Sequence, residues 1–222
     1  MVIPTKSQRT FLQEATTLYV SNLPGSPAEE FLESRGLGSL DVKETVSKFR
    51  LGYVDGSESQ HEKYQGRLAI PYLRWSHEFG WSVATIRFRC VEDHNCKAEG
   101  HPKYMSTPGD PPRLFNTSAL LQNLDVIGIT EGELDAVTAT TCGIPSVGVA
   151  GAANWKKHFV EPFHGYKEVI VFADGDKGGT EFAKDVAQTL PNARVIQSPD
   201  GHDVNSLVNE RGRQYFTERA GL

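Results

Sequence analysis

The sequence has few cysteines and no long hydrophobic run, and each shortage excludes a class of protein. Three cysteines in 222 residues are too few for a disulfide framework. No apolar stretch approaches the roughly 20 residues that a membrane-spanning helix needs. The opening MVIPTKSQRT also lacks the apolar segment of a secretory signal. We therefore expect a protein of the cytoplasm, or of a host cell's cytoplasm, that does not bind a membrane.

The net charge of −5 is unevenly distributed along the chain. Residues 61–113 carry 8 Lys and Arg against 6 Asp and Glu, whereas residues 121–210 carry 6 against 13. An acidic segment attracts polyanions through bound divalent cations, which reverse the local sign of the charge. The sequence thus predicts a mildly basic region followed by an acidic one that is suited to metal ions.

The first half of the sequence predicts helices followed by a β-hairpin. Helical patterns cover about residues 5–20, 27–35 and 41–50. Residues 51–64 are polar and turn-rich, which is typical of an exposed loop or linker. GRLAIPYL and WSVATIRFRC then alternate as strands do, and a long loop over 92–113 follows them.

The second half alternates strands with helices. Strands are predicted at DVIGIT, SVGVAG, EVIVFAD and ARVIQSP. Helices are predicted over residues 133–142, 154–162 and 180–190, with a last one over 203–219. This order predicts an α/β fold with a Rossmann-like parallel sheet and helices on both faces. A small, basic subdomain of helices and β-strands would precede it.

Carboxylates follow several of the predicted parallel strands. Glu131 comes after VIGIT, Asp174 and Asp176 come after VIVFA, and Asp203 comes after ARVIQ. The carboxyl ends of parallel strands meet at one edge of a sheet, where ligands bind. Acids gathered there repel one another unless a cation lies among them, and oxygen ligands suit Mg²⁺ or Mn²⁺. The alternative is that Asp174 and Asp176 are turn residues, since Asp and Gly favour turns.

A second cluster of possible metal ligands lies at the end of WSVATIRFRC and in the predicted loop that follows it. Cys90, His94, Cys96 and His101 form the pattern C-x₃-H-x-C-x₄-H, and all are residue types that bind zinc. The spacing is not that of a standard zinc finger. Two interpretations stay open, a structural Zn²⁺ or a polar loop with a half-buried cysteine.

Three segments of the acidic half, ITEGELDA, FADGDKGG and HDVNSL, resemble the Toprim domain. DnaG-type primases, topoisomerases and some nucleases share this domain, and the resemblance covers residues 124–208. Upstream, GRLAIPYL, IRFR and PKYMSTPG resemble the catalytic core of DnaG-type primases. The resemblance implies a Toprim-type fold at 121–222, preceded by the basic subdomain at 1–120, in a short core of phage or mobile-element type.

The resemblance also implies roles for individual residues. Glu131, Asp174 and Asp176 would be catalytic, and together with Asp203 they would hold Mg²⁺ or Mn²⁺. A basic groove would bind template DNA and nucleotide phosphates through Arg67, Arg87, Arg89 and Lys103. Ser106 stands where the family has Asn, so one template or nucleotide contact differs.

The expected function is synthesis of short RNA primers on single-stranded DNA from nucleoside triphosphates. A replicative helicase or a separate primase subunit would be a partner. Two alternatives remain: a Toprim nuclease that hydrolyses phosphodiesters with the same metals, and a non-catalytic nucleic-acid-binding protein of replication or defence. The basic segment favours primer synthesis over a nuclease, which needs no nucleoside-triphosphate pocket. The paired acids argue against a pure binding protein, which has little use for mutually repelling carboxylates.

Overall fold

The computed structural model describes residues 4–122 and 125–222, so the opening MVI and residues 123–124 lie outside the described residues. The chain divides into two compact units, Met1–Pro111 and Pro112–Leu222. The predicted α/β class is confirmed, and the assignment of residues 1–120 and 121–222 to separate domains stays a prediction. None of the helices in the described part of the chain has the length and hydropathy that crossing a bilayer requires.

Three helices open the first unit, as the sequence predicts. They are α1 (Lys6–Ser21), α2 (Pro27–Ser34) and α3 (Leu40–Ser47). Local chemistry accounts for where they begin. The Thr5 side chain accepts a hydrogen bond from Gln8 N, and Gln8 bonds back in a capping box. Ser26 caps α2 through its own side chain, immediately before a proline whose missing N–H costs nothing in the first turn.

An antiparallel sheet completes the first unit. Its strands are β1 (Gly52–Tyr53), β2 (Arg67–Ser76), β3 (Gly80–Cys90) and β4 (Tyr104–Met105), in the order β1-β2-β3-β4. The predicted hairpin is β2–β3, and a bulge between Tyr72 and Leu73 shifts its register. Helix α1 packs its buried residues on one face of this sheet, against Ile86 and Phe88.

The prediction of an exposed loop over residues 51–64 holds for its exposed polar residues but misses two elements of structure. This segment forms β1 and a 3₁₀ helix, Ser59–Tyr64, whose His61 and Tyr64 are only 5% and 1% exposed. The Tyr64 ring stacks on Phe88 with 3.8 Å between ring centroids, and His61 Nδ1 lies 2.8 Å from Tyr19 Oη. Two aromatic anchors therefore fix a segment whose other residues are mostly polar.

The second unit is a mainly parallel sheet. Its strands are β5 (Leu114–Phe115), β6 (Val126–Thr130), β7 (Ser146–Val149), β8 (Glu168–Ala173) and β9 (Ala193–Gln197). The order is β5-β7-β6-β8-β9, and only β5 pairs antiparallel among the described strands of this sheet. The helices are α4 (Glu133–Thr141), α5 (Lys177–Ala187), α6 (Val204–Arg211) and α7 (Arg213–Ala220).

Helices cover both faces of the parallel sheet, which confirms the predicted layering. On one face, Val169 and Val171 of β8 pack with Phe182 of α5. On the other, Ile170 and Phe172 pack with residues of α4, α6 and α7. Alternate residues of one strand thus serve opposite cores, as expected for a strand buried on both sides.

Two helix predictions of the second half are corrected. Residues 154–162 do not form one helix, because the backbone of Trp155 and Lys156 is extended. Separate 3₁₀ turns follow at Lys157–Phe159 and Glu161–Phe163. The single helix predicted over 203–219 is two helices, α6 and α7. They are separated by Gly212, whose φ of 85° ends the first.

Candidate functional site

The predicted carboxylates meet at one edge of the parallel sheet. Strand β6 pairs with β8, and β8 pairs with β9, so the three strands end side by side. Glu131 directly follows β6, and Asp174 directly follows β8. The backbone N–H of Asp174 donates to Glu131 Oε1 over 3.1 Å, which joins the two loops. The sheet topology therefore brings together acids that lie 43 positions apart in the sequence.

Asp174 lies at the centre of this acidic cluster. Its pKa is raised to about 8, first by burial and then by the charges of Asp135, Glu131, Asp203 and Asp176, in that order. Its Oδ1 atom is buried and has no hydrogen-bond partner among the described residues. A buried, unpaired carboxylate oxygen surrounded by other acids is a position that a cation would stabilise.

Glu131 has a similar environment. Burial raises its pKa, the bond from Asp174 N–H lowers it, and the nearby charge of Asp176 raises it again. The net direction is upwards, so Glu131 holds a proton more readily than an exposed glutamate does.

Asp176 and Asp203 each have a local structural role as well. Asp176 caps α5, where its Oδ1 accepts from Gly179 N over 2.8 Å. Asp203 caps α6, where its Oδ1 accepts from Ser206 N over 2.6 Å. Capping accounts for one oxygen of each side chain without any metal. It does not account for Asp174, whose burial among these acids is unexplained by a turn.

Asp135 also lies at this edge and was missed by the sequence analysis. It lies in the first turn of α4, is 8% exposed, and its Oδ1 accepts from Asn205 N over 3.0 Å. Its charge raises the pKa of Asp174 more than any other acid does. The sequence signal was present: an aspartate four positions after Glu131, one turn into a helix that begins at the sheet edge.

Gly175 holds the loops after β8 and β9 together. Its N–H donates to His202 O over 2.7 Å, and its carbonyl accepts from Gly201 N over 2.9 Å. A Cβ at this position would lie 1.8 Å from Pro199 O, so no larger residue fits. The glycine between Asp174 and Asp176 therefore permits the close approach that places Asp203 near them.

The donor set fits a hard divalent cation. Glu131, Asp174, Asp176 and Asp203 offer only oxygens, which suit Mg²⁺ or Mn²⁺ better than softer metals. The unpartnered Asp174 Oδ1 is the atom that most needs such a ligand. These residue assignments stay a prediction.

The basic residues lie in the first unit and do not all share one face. Arg87 and Arg89 are two positions apart on β3 and project on the same side, where Tyr104 stands opposite Arg89. Arg67 stands opposite Cys90, so it projects on the other side. Lys103 directly precedes β4, and its carbonyl accepts from Cys90 N over 2.9 Å.

Arg89 is the most unusual of these cations. It is 4% exposed, and its guanidinium carbon lies 4.3 Å from the Phe31 ring centroid and 5.5 Å from that of Tyr104. Its Nε and Nη1 have no hydrogen-bond partner in the part of the chain that the structure describes. Arg89 and Lys103 line a cavity of about 1120 Å³ within the first unit. The two aromatic rings and the surrounding residues therefore shield most of this guanidinium from solvent.

The cysteines and histidines of the predicted loop also come together. The ligand atoms of Cys90, His94, Cys96 and His101 all lie within 4.8 Å of one another. This cluster, in the first unit, could bind a metal ion.

A family described as Toprim-like matches residues 128–208, the segment that contains Glu131, Asp174, Asp176 and Asp203. The Gene 57 protein of Mycobacterium phage D29 is 57% identical over 156 residues, which cover 70% of this chain and 99% of that protein. The DNA primase of Geobacillus stearothermophilus is 24% identical over 237 residues. The match covers 92% of this chain and 39% of that primase, so the chain spans about two fifths of its length.

Solved structures share the fold. The structure of the DnaG primase catalytic domain bound to ssDNA matches with a TM-score of 0.72 at 22% identity, covering 96% of this chain and 79% of that one. The chain has a Toprim-like domain over residues 128–208 and the fold of a DnaG primase catalytic domain. It belongs to the same family as the Gene 57 protein of Mycobacterium phage D29. The matches to DNA primases indicate a nucleotidyltransferase-type enzyme, and the predicted resemblance is confirmed.

Proposed function

We propose that this chain synthesises short RNA primers on single-stranded DNA by metal-dependent nucleotidyl transfer. The observation that carries the proposal is the buried, unpartnered Oδ1 of Asp174 among converging carboxylates at the end of a parallel sheet. Such an edge is where α/β folds bind ligands, and the acids there need a cation to offset their repulsion. Matches to DNA primases supply the class of reaction.

The acidic edge would hold Mg²⁺ or Mn²⁺ through Glu131, Asp174 and Asp176, with Asp203 supporting the site. When bound, the cation would neutralise the charge that grows on the phosphoryl oxygens during transfer. Burial and the neighbouring acids raise the pKa of Asp174 in the metal-free protein, and a bound cation would offset this repulsion. Glu131, oriented by the Asp174 N–H, also has a raised pKa, which suits a group that moves a proton at the attacking hydroxyl.

The basic strands of the first unit would bind the template backbone and the triphosphate. Arg87 lies over the Tyr104 ring at 4.8 Å, and Arg89 and Lys103 line the cavity of the first unit. Guanidinium groups held in this way bind phosphate by bidentate hydrogen bonds. The DnaG primase catalytic domain that shares this fold was solved bound to ssDNA, which supports a nucleic-acid ligand here. A replicative helicase or a separate primase subunit is the proposed partner.

A Toprim nuclease is the second candidate, because the same carboxylates and cation could activate water on a phosphodiester. The sequence matches to DNA primases favour synthesis over hydrolysis.

The test is primer synthesis on single-stranded DNA with labelled nucleoside triphosphates and Mg²⁺ or Mn²⁺. Asp174→Asn and Glu131→Gln remove proposed metal ligands, and Asp185→Asn, an exposed acid on α5, is the matched control. We expect short products from the wild type and Asp185→Asn, and a loss of at least about a hundredfold in the other two, the scale of losing one charge-stabilising group. Metal-dependent degradation of the template instead of primers would support the nuclease. DNA binding without either activity would support a non-catalytic protein.

A further inference from the structure

The connection between β3 and β4 carries a set of side chains that the proposed primase chemistry does not use. We name residues 91–103 the strap. Cys90 closes β3 immediately before the strap, and His94, Cys96 and His101 lie within it. Their ligand atoms converge within 4.8 Å, although the four residues are spread over a loop with little regular structure.

The distances in this cluster are close to those of a tetrahedral zinc site. Zn–S bonds of about 2.3 Å and Zn–N bonds of about 2.0 Å imply ligand-to-ligand distances of roughly 3.3–3.8 Å. Cys90 Sγ and His94 Nε2 are already 3.7 Å apart. The His94 and His101 rings meet edge to face with centroids 4.8 Å apart, which leaves both free to point one nitrogen at a common centre. Closure therefore requires contraction by about 1 Å at the widest pair.

Each histidine of the cluster has a polar partner at Nδ1. His94 Nδ1 lies 3.1 Å from Glu92 Oε2, and His101 Nδ1 lies 3.3 Å from the carbonyl oxygen of Pro102. A histidine that binds zinc through Nε2 usually donates its Nδ1 proton to a carboxylate or a carbonyl in this way, which fixes its tautomer and ring orientation. A polar loop with a half-buried cysteine does not require such partners for both rings.

The backbone of the strap is arranged to present these ligands. His101 N donates to Cys96 O over 3.0 Å, and the Asn95 side chain accepts from Lys97 N over 3.1 Å. Cys96 is buried at 9% exposure in a loop that has few other apolar residues to cover it. The backbone bond between Cys96 and His101 folds the strap back on itself, so a metal held by both would close this turn.

We propose that Cys90, His94, Cys96 and His101 bind one structural Zn²⁺, with all four tetrahedral positions filled by protein. Two sulfurs and two imidazoles favour zinc among the common divalent metals, and the absence of an open position favours structure over catalysis. This site is independent of the acidic edge of the second unit and of the primer-synthesis proposal.

Bound zinc would order the part of the strap that lines the same cavity as Arg89. The strap lines that cavity, and its end is attached to the sheet by the bond from Cys90 N to Lys103 O and by Arg67 Nη1, which donates to Pro102 O over 3.1 Å. Zinc would tie His94 and Cys96, in the middle of the strap, to Cys90 and His101 at its two ends. Lys103 would then be held beside β3 without depending on loop order.

The test uses the full chain, purified without added chelator, and measures bound metal by elemental analysis. We expect one zinc per chain, lost in Cys96→Ser and retained in Cys142→Ser, which removes the cysteine of the second unit as a matched control. Glu92→Gln keeps all four ligands but removes the carboxylate beside His94 Nδ1. We expect zinc binding to weaken by roughly 10–100-fold without being lost.

Replacement of zinc by Co²⁺ gives a readout that needs no variant. We expect the visible absorption of a tetrahedral cobalt centre together with thiolate-to-cobalt charge-transfer bands in the wild-type protein. Zinc that Cys96→Ser retains, or cobalt spectra without thiolate bands, would overturn the proposal. So would wild-type protein without zinc, or with a Cys90–Cys96 disulfide after purification under reducing conditions.

Discussion

Replacement of Asp174 by asparagine should stabilise the metal-free protein at high pH, although it removes a proposed metal ligand. Folded Asp174 keeps its proton up to about pH 8, whereas an unfolded aspartate loses it near its ordinary pKa of 3.8. The folded state therefore binds more protons between these values. The stability that this proton contributes is fully present below pH 3.8 and is lost as the pH rises through 8. Asparagine has the same shape and no proton to lose, so this loss disappears.

The size of the effect follows from the difference between the two pKa values. A pKa difference between 3.8 and about 8 corresponds to at most about 6 kcal/mol of unfolding free energy. Asp174 is only partly buried, and solvent screening reduces the difference that we expect between pH 5 and pH 9 to about 2 kcal/mol. The same reasoning predicts that Mg²⁺ restores wild-type stability at high pH, by about 1.4 kcal/mol at ten times its dissociation constant.

The assay is urea unfolding without added divalent cations, followed by the fluorescence of Trp155. This residue packs against Phe159 and Phe163 in the core of the second unit. Changing the exposed Trp75 and Trp81 to phenylalanine leaves it as the single tryptophan of the chain. Asp174→Asn should flatten the pH dependence and remove the response to Mg²⁺, and Asp185→Asn should change neither. If the unfolding free energies of wild type and Asp174→Asn depend equally on pH, Asp174 is not the group responsible for the loss of stability at high pH.

Three further predictions concern the loops, the basic strands and the core. Gly175→Ala should lower the unfolding free energy by about 2 kcal/mol and abolish primer synthesis, because the new Cβ would overlap Pro199 O. Gly165→Ala is the control, since a Cβ there has no atom within 4 Å. Equal melting temperatures of the two variants would count against the close approach at Gly175. Arg89→Met should weaken binding of single-stranded DNA. It should also lower by about 1 the slope of log binding constant against log salt concentration, measured by fluorescence anisotropy. An unchanged slope would show that Arg89 does not contact the DNA backbone. Phe182→Ala should lower the unfolding free energy, measured in urea, by about 3–5 kcal/mol. Replacement of its exposed neighbour, Glu181→Ala, should change it little. A small loss for Phe182→Ala would contradict the place of Phe182 in the core.

The strands and the acidic edge could be predicted from the sequence because each depends on local pattern and topology. Runs such as VIVFA are buried on both faces of a parallel sheet, and alternation with helices places their ends on one side. Glu131 and Asp174 could therefore be paired from sequence alone. Asp135 could not be placed as easily, since its contact with Asn205 depends on how α4 packs against α6, 70 positions away.

The positions of the basic residues depend on a detail that sequence patterns do not reveal. Strands β2 and β3 carry a bulge between Tyr72 and Leu73. Continuing the register of the pair Leu73 and Val83 without that bulge would place Arg67 opposite Arg89, on one face. The bulge shifts the register by one residue, so Arg67 stands opposite Cys90 instead.

The buried contacts of residues 51–64 escaped prediction for a different reason. Most of these residues are polar, and hydropathy averaged over the segment indicates a loop. Two side chains, His61 and Tyr64, fix it through contacts with Tyr19 and Phe88, which lie far away in the sequence. Long-range aromatic packing of this kind leaves no periodic signal.

The measurement that tests template-directed primer synthesis most directly is the sequence of the products made on a single-stranded DNA of defined sequence. The protein would be incubated with all four nucleoside triphosphates and Mg²⁺ or Mn²⁺, and the short products sequenced. We expect RNA complementary to the template, made by the wild type and Asp185→Asn and missing with Asp174→Asn. Products unrelated to the template, or products that Asp174→Asn makes equally well, would contradict this proposal.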